Sequence, residues 1–219
     1  MMQRRVLLLA GLTAVWPRIL LAQSPDQAEQ KADQSVRVGD RWTYEETDQI
    51  TGDIKGTSVS VVTDVSDKEF DTLLSVRGRP GARIIAFDHD WNRIDDSVWK
   101  FKPNDGMGIR LPLTVGKEWR SEFESNNMQS GTVLRGTVRS KIAAQESVTT
   151  QAGTFDAFRI EHHLVEYMTT DPSKGSEDEI VIWYAPRINH WVKRTSTIRI
   201  EKRIRSSTSL ELVDFSRKL

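Results

Sequence analysis

From residue 36 onward, apolar and polar side chains alternate in short runs rich in Val, Ile, Thr, Trp and Tyr, and Gly, Asp, Asn and Pro separate those runs. No segment of that stretch holds a sustained 3.6-residue apolar period with caps. Successive side chains of a strand point to opposite faces, so the pattern predicts half-buried strands and leaves no helical framework. Strands are expected at 41–47, 57–65, 72–77, 83–87, 98–102, 119–124, 132–147, 158–167, 179–184, 190–203 and 209–214. So many strands in one chain favour an all-β fold with a single large antiparallel sheet, strongly curved or partly open as a barrel, over a small sandwich.

Two segments echo each other: Val38-Gly39-Asp40-Arg41-Trp42 and Val115-Gly116-Lys117-Glu118-Trp119. Each places Gly before a strand with an early tryptophan, and each half later carries a Phe-Asp pair, Phe70-Asp71 and Phe155-Asp156. The repeat allows two similar halves; recurrent Gly turns and Trp anchors in β proteins would account for it equally. Trp42 and Trp119 are the expected core anchors.

The N-terminus has a different texture. Arg4 and Arg5 precede an apolar run from Val6 to Trp16, Pro17 and Arg18 break it, and Ala22 is a candidate cleavage residue. The run is too short and too interrupted for a span of ~20 apolar residues, so residues 1–22 read as an export signal that leaves no transmembrane segment once removed. Paired arginines fit both the Sec and the twin-arginine route. Residues 23–35 read as a flexible polar linker and 36–219 as a single β domain. The expected location is periplasmic or secreted.

Composition narrows the chemistry. The chain of 219 residues has 31 basic and 31 acidic side chains and no cysteine. This excludes a disulfide framework, a thiolate metal site, a cysteine nucleophile and a lipid-modified N-terminal cysteine. Loss of Arg4, Arg5 and Arg18 with the signal leaves 28 basic against 31 acidic residues, so no nucleic-acid partner is expected. His162 and His163 are adjacent and point to opposite faces of a strand, which rules them out as joint metal ligands without a bulge. Asp88, Asp90 and Asn92 have alternating oxygen donors, but the following glycine of a calcium loop is missing and Trp99 stands where its bidentate acid belongs; a β-turn is the better reading. No Gly-x-Ser-x-Gly or phosphate-binding loop occurs. No catalytic residue, metal or cofactor is therefore expected.

Two surface features remain. Residues 187–219 hold nine basic side chains against Glu201, Glu211 and Asp214, a local +6. Glu177, Asp178 and Glu179 on the preceding strand can neutralise it across the sheet; the alternative is an anionic partner such as phospholipid head groups or envelope polysaccharide. Trp183, Tyr184 and Trp191 gather around the hairpin connection at Ala185 to Asn189, flanked by Lys193, Arg194 and Arg199. They serve either ordinary packing or a ligand platform. Residues 183 and 184 must face opposite sides of the sheet, so one aromatic should leave the core face unless both faces are covered.

The run Gln151-Ala152-Gly153-Thr154-Phe155-Asp156-Ala157-Phe158-Arg159-Ile160, together with Trp183-Tyr184-Ala185-Pro186-Arg187-Ile188-Asn189-His190-Trp191-Val192-Lys193-Arg194, resembles the motif pair of the TapB-like family of exported bacterial β-rich proteins. Gly39 to Trp42 and Leu113 to Trp119 fit as well, so the resemblance runs from residue 36 to about residue 203. It implies a β-rich periplasmic domain and transfers no activity. The expected function is non-enzymatic: binding of a lipid-like or amphipathic ligand, or of an envelope protein. The alternative is an exported hydrolase whose carboxylates converge only in the fold.

Overall fold

The computed structural model describes residues 35–218. The export signal at 1–22 and all of the linker but Ser35 lie outside the described residues. Twelve strands follow one another: β1 Arg41–Asp48, β2 Ile54–Val65, β3 Glu69–Val76, β4 Ala82–Asp88, β5 Arg93–Asp95, β6 Trp99–Lys102, β7 Glu118–Asn127, β8 Val133–Thr150, β9 Gly153–Met168, β10 Gly175–Ala185, β11 His190–Ile200 and β12 Arg203–Ser216. Each pairs antiparallel with its sequence neighbours, and β1 pairs with β12, so the sheet closes into a barrel. Closure removes the unpaired edges that a curved open sheet would expose.

The expected strands are present, with two differences. The short β5 was not foreseen, and the expected strand 190–203 divides into β11 and β12 at a two-residue turn, Glu201-Lys202. Both turn residues are left-handed, with φ of 51° and 63°. That conformation normally selects Gly or Asn, so the sequence carried no turn signal there.

Up-and-down connectivity sorts the loops. Six tight connections, at 49–53, 77–81, 96–98, 128–132, 169–174 and 201–202, form one end. The other end holds the turns at 66–68, 89–92 and 151–152, a 3-10 turn at Pro186–Ile188, and the long segment 103–117. This second end is plugged. Trp42 is fully buried, stacks on His190 at 4.4 Å and meets Trp91 edge-on at 5.6 Å, while Phe70 packs against Trp91 at 4.7 Å. Their polar tips are satisfied inside the plug: Trp42 Nε1 donates to the Ile188 carbonyl, and Trp91 Nε1 and the Tyr184 hydroxyl donate to Asn189 Oδ1. These bonds offset the desolvation cost of burying the polar tips of Trp and Tyr.

The sequence echo is an echo in geometry. Gly39 and Gly116 have φ of 92° and 90°. In each case the glycine N–H donates to a carbonyl on the neighbouring strand, Val62 and Ile142 respectively. The next residue, Asp40 or Lys117, donates to the carbonyl three residues back, and its own carbonyl accepts from Val62 or Ile142. Both are left-handed turns that launch a tryptophan strand inward. The tryptophans differ, however: Trp42 is sealed, while Trp119 is half-buried with its Nε1 unpartnered.

Candidate functional site

Side-chain alternation places Tyr184, Ile182, Ile180, Asp178 and Ser176 of β10 on the interior, with Arg194, Ser196 and Ile198 of β11 beside them. Near the plug, interior positions such as Ile160, Ile180 and Leu212 are buried. Toward the hairpin end, Glu46, Ser58, Ser60, Leu74, Asp178, Ser196 and Ile198 also face inward yet are only half-buried. The interior is therefore a cup, floored by aromatic rings and open at the six hairpins.

Arg194 stands at the floor of this cup. It lies in a cross-strand row with Ile182 and Leu210, and Leu210 pairs onward with Glu46. Burial is the main effect that lowers its pKa, with the Arg93 charge adding to it; Asp105, Asp178 and Glu46 oppose the shift. None of these acids touches it: among the described residues the Arg194 guanidinium has no hydrogen-bond or ion-pair partner. Arg93, by contrast, is committed, to Asp96 at 3.1 Å and Asp105 at 3.4 Å, and lies over the Phe101 ring. Burial raises the carboxyls of Asp105 and Asp178, and pushes Glu166 up to about 7, with the Asp178 charge as the second cause. A half-buried cation with no contacting anion among the described residues is a site suited to an incoming anionic group.

Among the described residues the interior also holds the one Ser–His contact, Ser140 Oγ to His162 Nδ1 at 2.8 Å. Burial first, and then the Arg194 charge, lowers the His162 pKa to about 3. An imidazole of that pKa is neutral at neutral pH and a weak proton acceptor, so the pair is poorly matched to general-base catalysis, which works best near the operating pH. The hydrolase alternative gains no support from it.

The six residues singled out in the sequence divide between the two faces. Tyr184, Trp191 and Arg194 come together inside, Trp191 because a register shift between Trp183 and Tyr184 pairs it opposite Tyr184. Trp183, Lys193 and Arg199 lie outside: Trp183 Nε1 donates to Glu146, Lys193 sits over the Trp183 ring and pairs with Glu211 at 2.6 Å, and Arg199 pairs with Glu179 at 2.9 Å. The opposite facing of 183 and 184 follows the alternation argument. Glu166, Asp105 and Arg93 were not singled out, and Asp178, named with Glu177 and Glu179 as a charge that could neutralise the basic outer face, faces inward instead. For Glu166 and Asp178 the signal was present, since each continues the apolar parity of its own strand, Ile160-His162-Leu164-Glu166 and Ile182-Ile180-Asp178. Asp88 makes the expected turn, accepting from the N–H groups of Asp90 and Asn92.

A second concavity of about 610 Å³ crosses β7 to β10. Its lining alternates outward side chains such as Arg139, Lys141, Glu161 and His163 with the inward positions Trp119, Ser140, His162 and Ile180. Charged pairs such as Lys141 with Glu118 and His163 with Glu177 border it.

No family model and no curated protein matches the chain, so the TapB-like resemblance rests on its motifs. Solved structures do match. A candidate exported protein with a YmcC-like fold from Bacteroides fragilis is similar at a TM-score of 0.53 and 12% identity, covering 83% of this chain and 97% of the other. A candidate lipoprotein from Parabacteroides distasonis is similar at 0.54 and 12%, covering 82% and 96%. With nearly the whole of each of those chains matched by the closed barrel described above, the fold of this protein is the YmcC-like fold.

Proposed function

We propose that this protein is an exported component of the bacterial cell envelope that binds an amphipathic, lipid-like ligand without chemical conversion, holding the ligand's anionic group at Arg194 on the floor of the cup. The observation that carries this reading is the half-buried, inward-facing guanidinium with no contacting carboxylate among the described residues. The ligand's apolar part would lie along Leu74, Ile198 and Leu210, half-buried on the cup wall. Export is supported by the Arg4, Arg5 and Val6 to Ala22 pattern and by the description of the similar structures as candidate exported proteins and lipoproteins. Of the residues expected to form a ligand platform, Tyr184, Trp191 and Arg194 belong to this site, and Trp183, Lys193 and Arg199 serve the outer face. Native mass spectrometry of protein recovered from its own envelope tests the reading: a bound acidic amphiphile, lost in Arg194→Leu, is the expected result. Ligand-free protein, or the same adduct in the variant, would remove the basis of the proposal.

A further inference from the structure

Three hairpins form one continuous arc of the open rim, β11 with β12, β1 with β2, and β3 with β4, because β12 pairs with β1 and β2 with β3. Four isoleucines on this arc face water: Ile50 and Ile54 at 61% and 65% exposure, and Ile200 and Ile204 at 41% and 52%. Turn chemistry has no use for branched aliphatic side chains at hairpin tips, and clustered exposed apolar surface marks a contact.

The same arc, residues 48–55, 77–83 and 200–205, carries seven basic side chains against three acidic ones, a net of +4. Lys55 is paired with Asp48 at 2.8 Å. Among the described residues Arg77, Arg79, Arg83, Lys202, Arg203 and Arg205 have no ion-pair partner. Neutralisation across the sheet, expected for the whole C-terminal basic region, holds for Lys193 and Arg199 and stops short of this rim.

We propose that the arc docks on an anionic lipid surface, with the isoleucines entering the boundary between head groups and acyl chains and the cations among the lipid phosphates. The mixture of chemistries selects this partner. A polysaccharide or nucleic acid would use the cations and leave the isoleucines in water; an apolar protein groove would leave unpaired arginines buried at its edge. Only a bilayer interface takes both, with charge attracting at range and the apolar side chains holding at contact. The inference stands on the rim residues without Arg194; combined with the proposed ligand site, it turns the mouth of the cup toward the bilayer.

The chain has no cysteine, so a single introduced one labels a unique site. Ile204→Cys on the rim and Val115→Cys at the plugged end, both in the full chain, would carry an environment-sensitive fluorophore. The vesicles are phosphatidylglycerol mixed with phosphatidylethanolamine, and phosphatidylcholine alone. A blue shift is expected at position 204 on the anionic vesicles, absent at position 115 and reversed near 1 M salt, where the screening length falls to about 3 Å. Arg77→Glu/Arg203→Glu/Arg205→Glu should weaken binding at least about tenfold with an unchanged circular dichroism spectrum. No shift at 204, an equal shift at 115, or binding indifferent to charge reversal would overturn the proposal. Arg194→Leu should leave the rim signal intact, so a failure of the ligand site and a failure of the docking surface are read separately.

Discussion

Acid should destabilise this barrel through two histidines, and the size of the effect follows from their burial. His162 and His190 each have a pKa lowered from 6.5 to about 3, chiefly by burial. Between those values the unfolded chain binds a proton at each site and the native chain does not, so stability falls as pH falls, by about 1.36 kcal/mol per unit for each histidine. Glu166 works in the opposite direction. Its pKa is raised from 4.5 to about 7, so between those values the native state holds a proton that the unfolded state lacks, and acidification adds about 1.36 kcal/mol per unit. From pH 6.5 to 4.5 these three groups leave a net loss of roughly 1.4 kcal/mol per unit; below 4.5 the Glu166 term ends and the loss doubles. The total by pH 3, about 7 kcal/mol, is comparable with the whole stability of an ordinary domain. His162→Asn isolates one contribution, because the Asn amide can replace Nδ1 as the partner of Ser140. Urea denaturation midpoints from pH 7 to pH 4.5 should show the variant losing roughly 2.7 kcal/mol less than the wild type over the two units below 6.5. Parallel pH profiles for the two proteins would refute the assignment of a buried, neutral His162.

Further expectations follow from the plug and the turns. Trp42→Ala should cost ~3 to 5 kcal/mol by denaturant titration, and Trp119→Ala distinctly less, since only Trp42 is sealed. Equal costs would contradict the asymmetry of the two halves. Glu201→Asn/Lys202→Gly should stabilise the protein by about 1 kcal/mol, because both residues hold left-handed conformations that Asn-Gly adopts without strain; an unchanged midpoint would show that the turn stores no such strain.

The fold was legible because alternation is a local property: the parity of Trp42 and Tyr44, or of Ile180 and Ile182, is fixed by the chain itself and survives into the barrel. The Glu201-Lys202 turn was not, because two residues of no turn preference are forced into it by the pairing of Arg194 with Leu210 and Ser196 with Thr208 on either side. Trp91 is different: it lies inside the turn expected at Asp88 to Asn92 and its backbone N–H donates to the Asp88 carbonyl, but its φ of 64° is one that a tryptophan's own preference does not signal. The candidate site was half legible. Spacing along β10 and β11 showed that Trp183 and Tyr184 part company, but spacing says nothing about what stands across the lumen, and it is the neighbours from β5, β9 and the 103–117 segment that decide the meaning of Arg194. Closure also determines which charges are paired. Lys193 and Arg199 find carboxylates on adjacent strands, and Arg194, one residue from Lys193, finds none in contact among the described residues.

The most direct measurement is a titration of the protein with single-chain amphiphiles below their micelle concentration, one anionic and one zwitterionic of equal chain length, followed by tryptophan fluorescence. The wild type should give a saturable response to the anionic amphiphile that strengthens as pH falls through about 7, where Glu166 takes up its proton. Arg194→Met should abolish that response and Arg199→Met should leave it unchanged. Equal responses to both amphiphiles, or an anionic response that survives Arg194→Met, would contradict the account of the cup as an anion-anchored binding site.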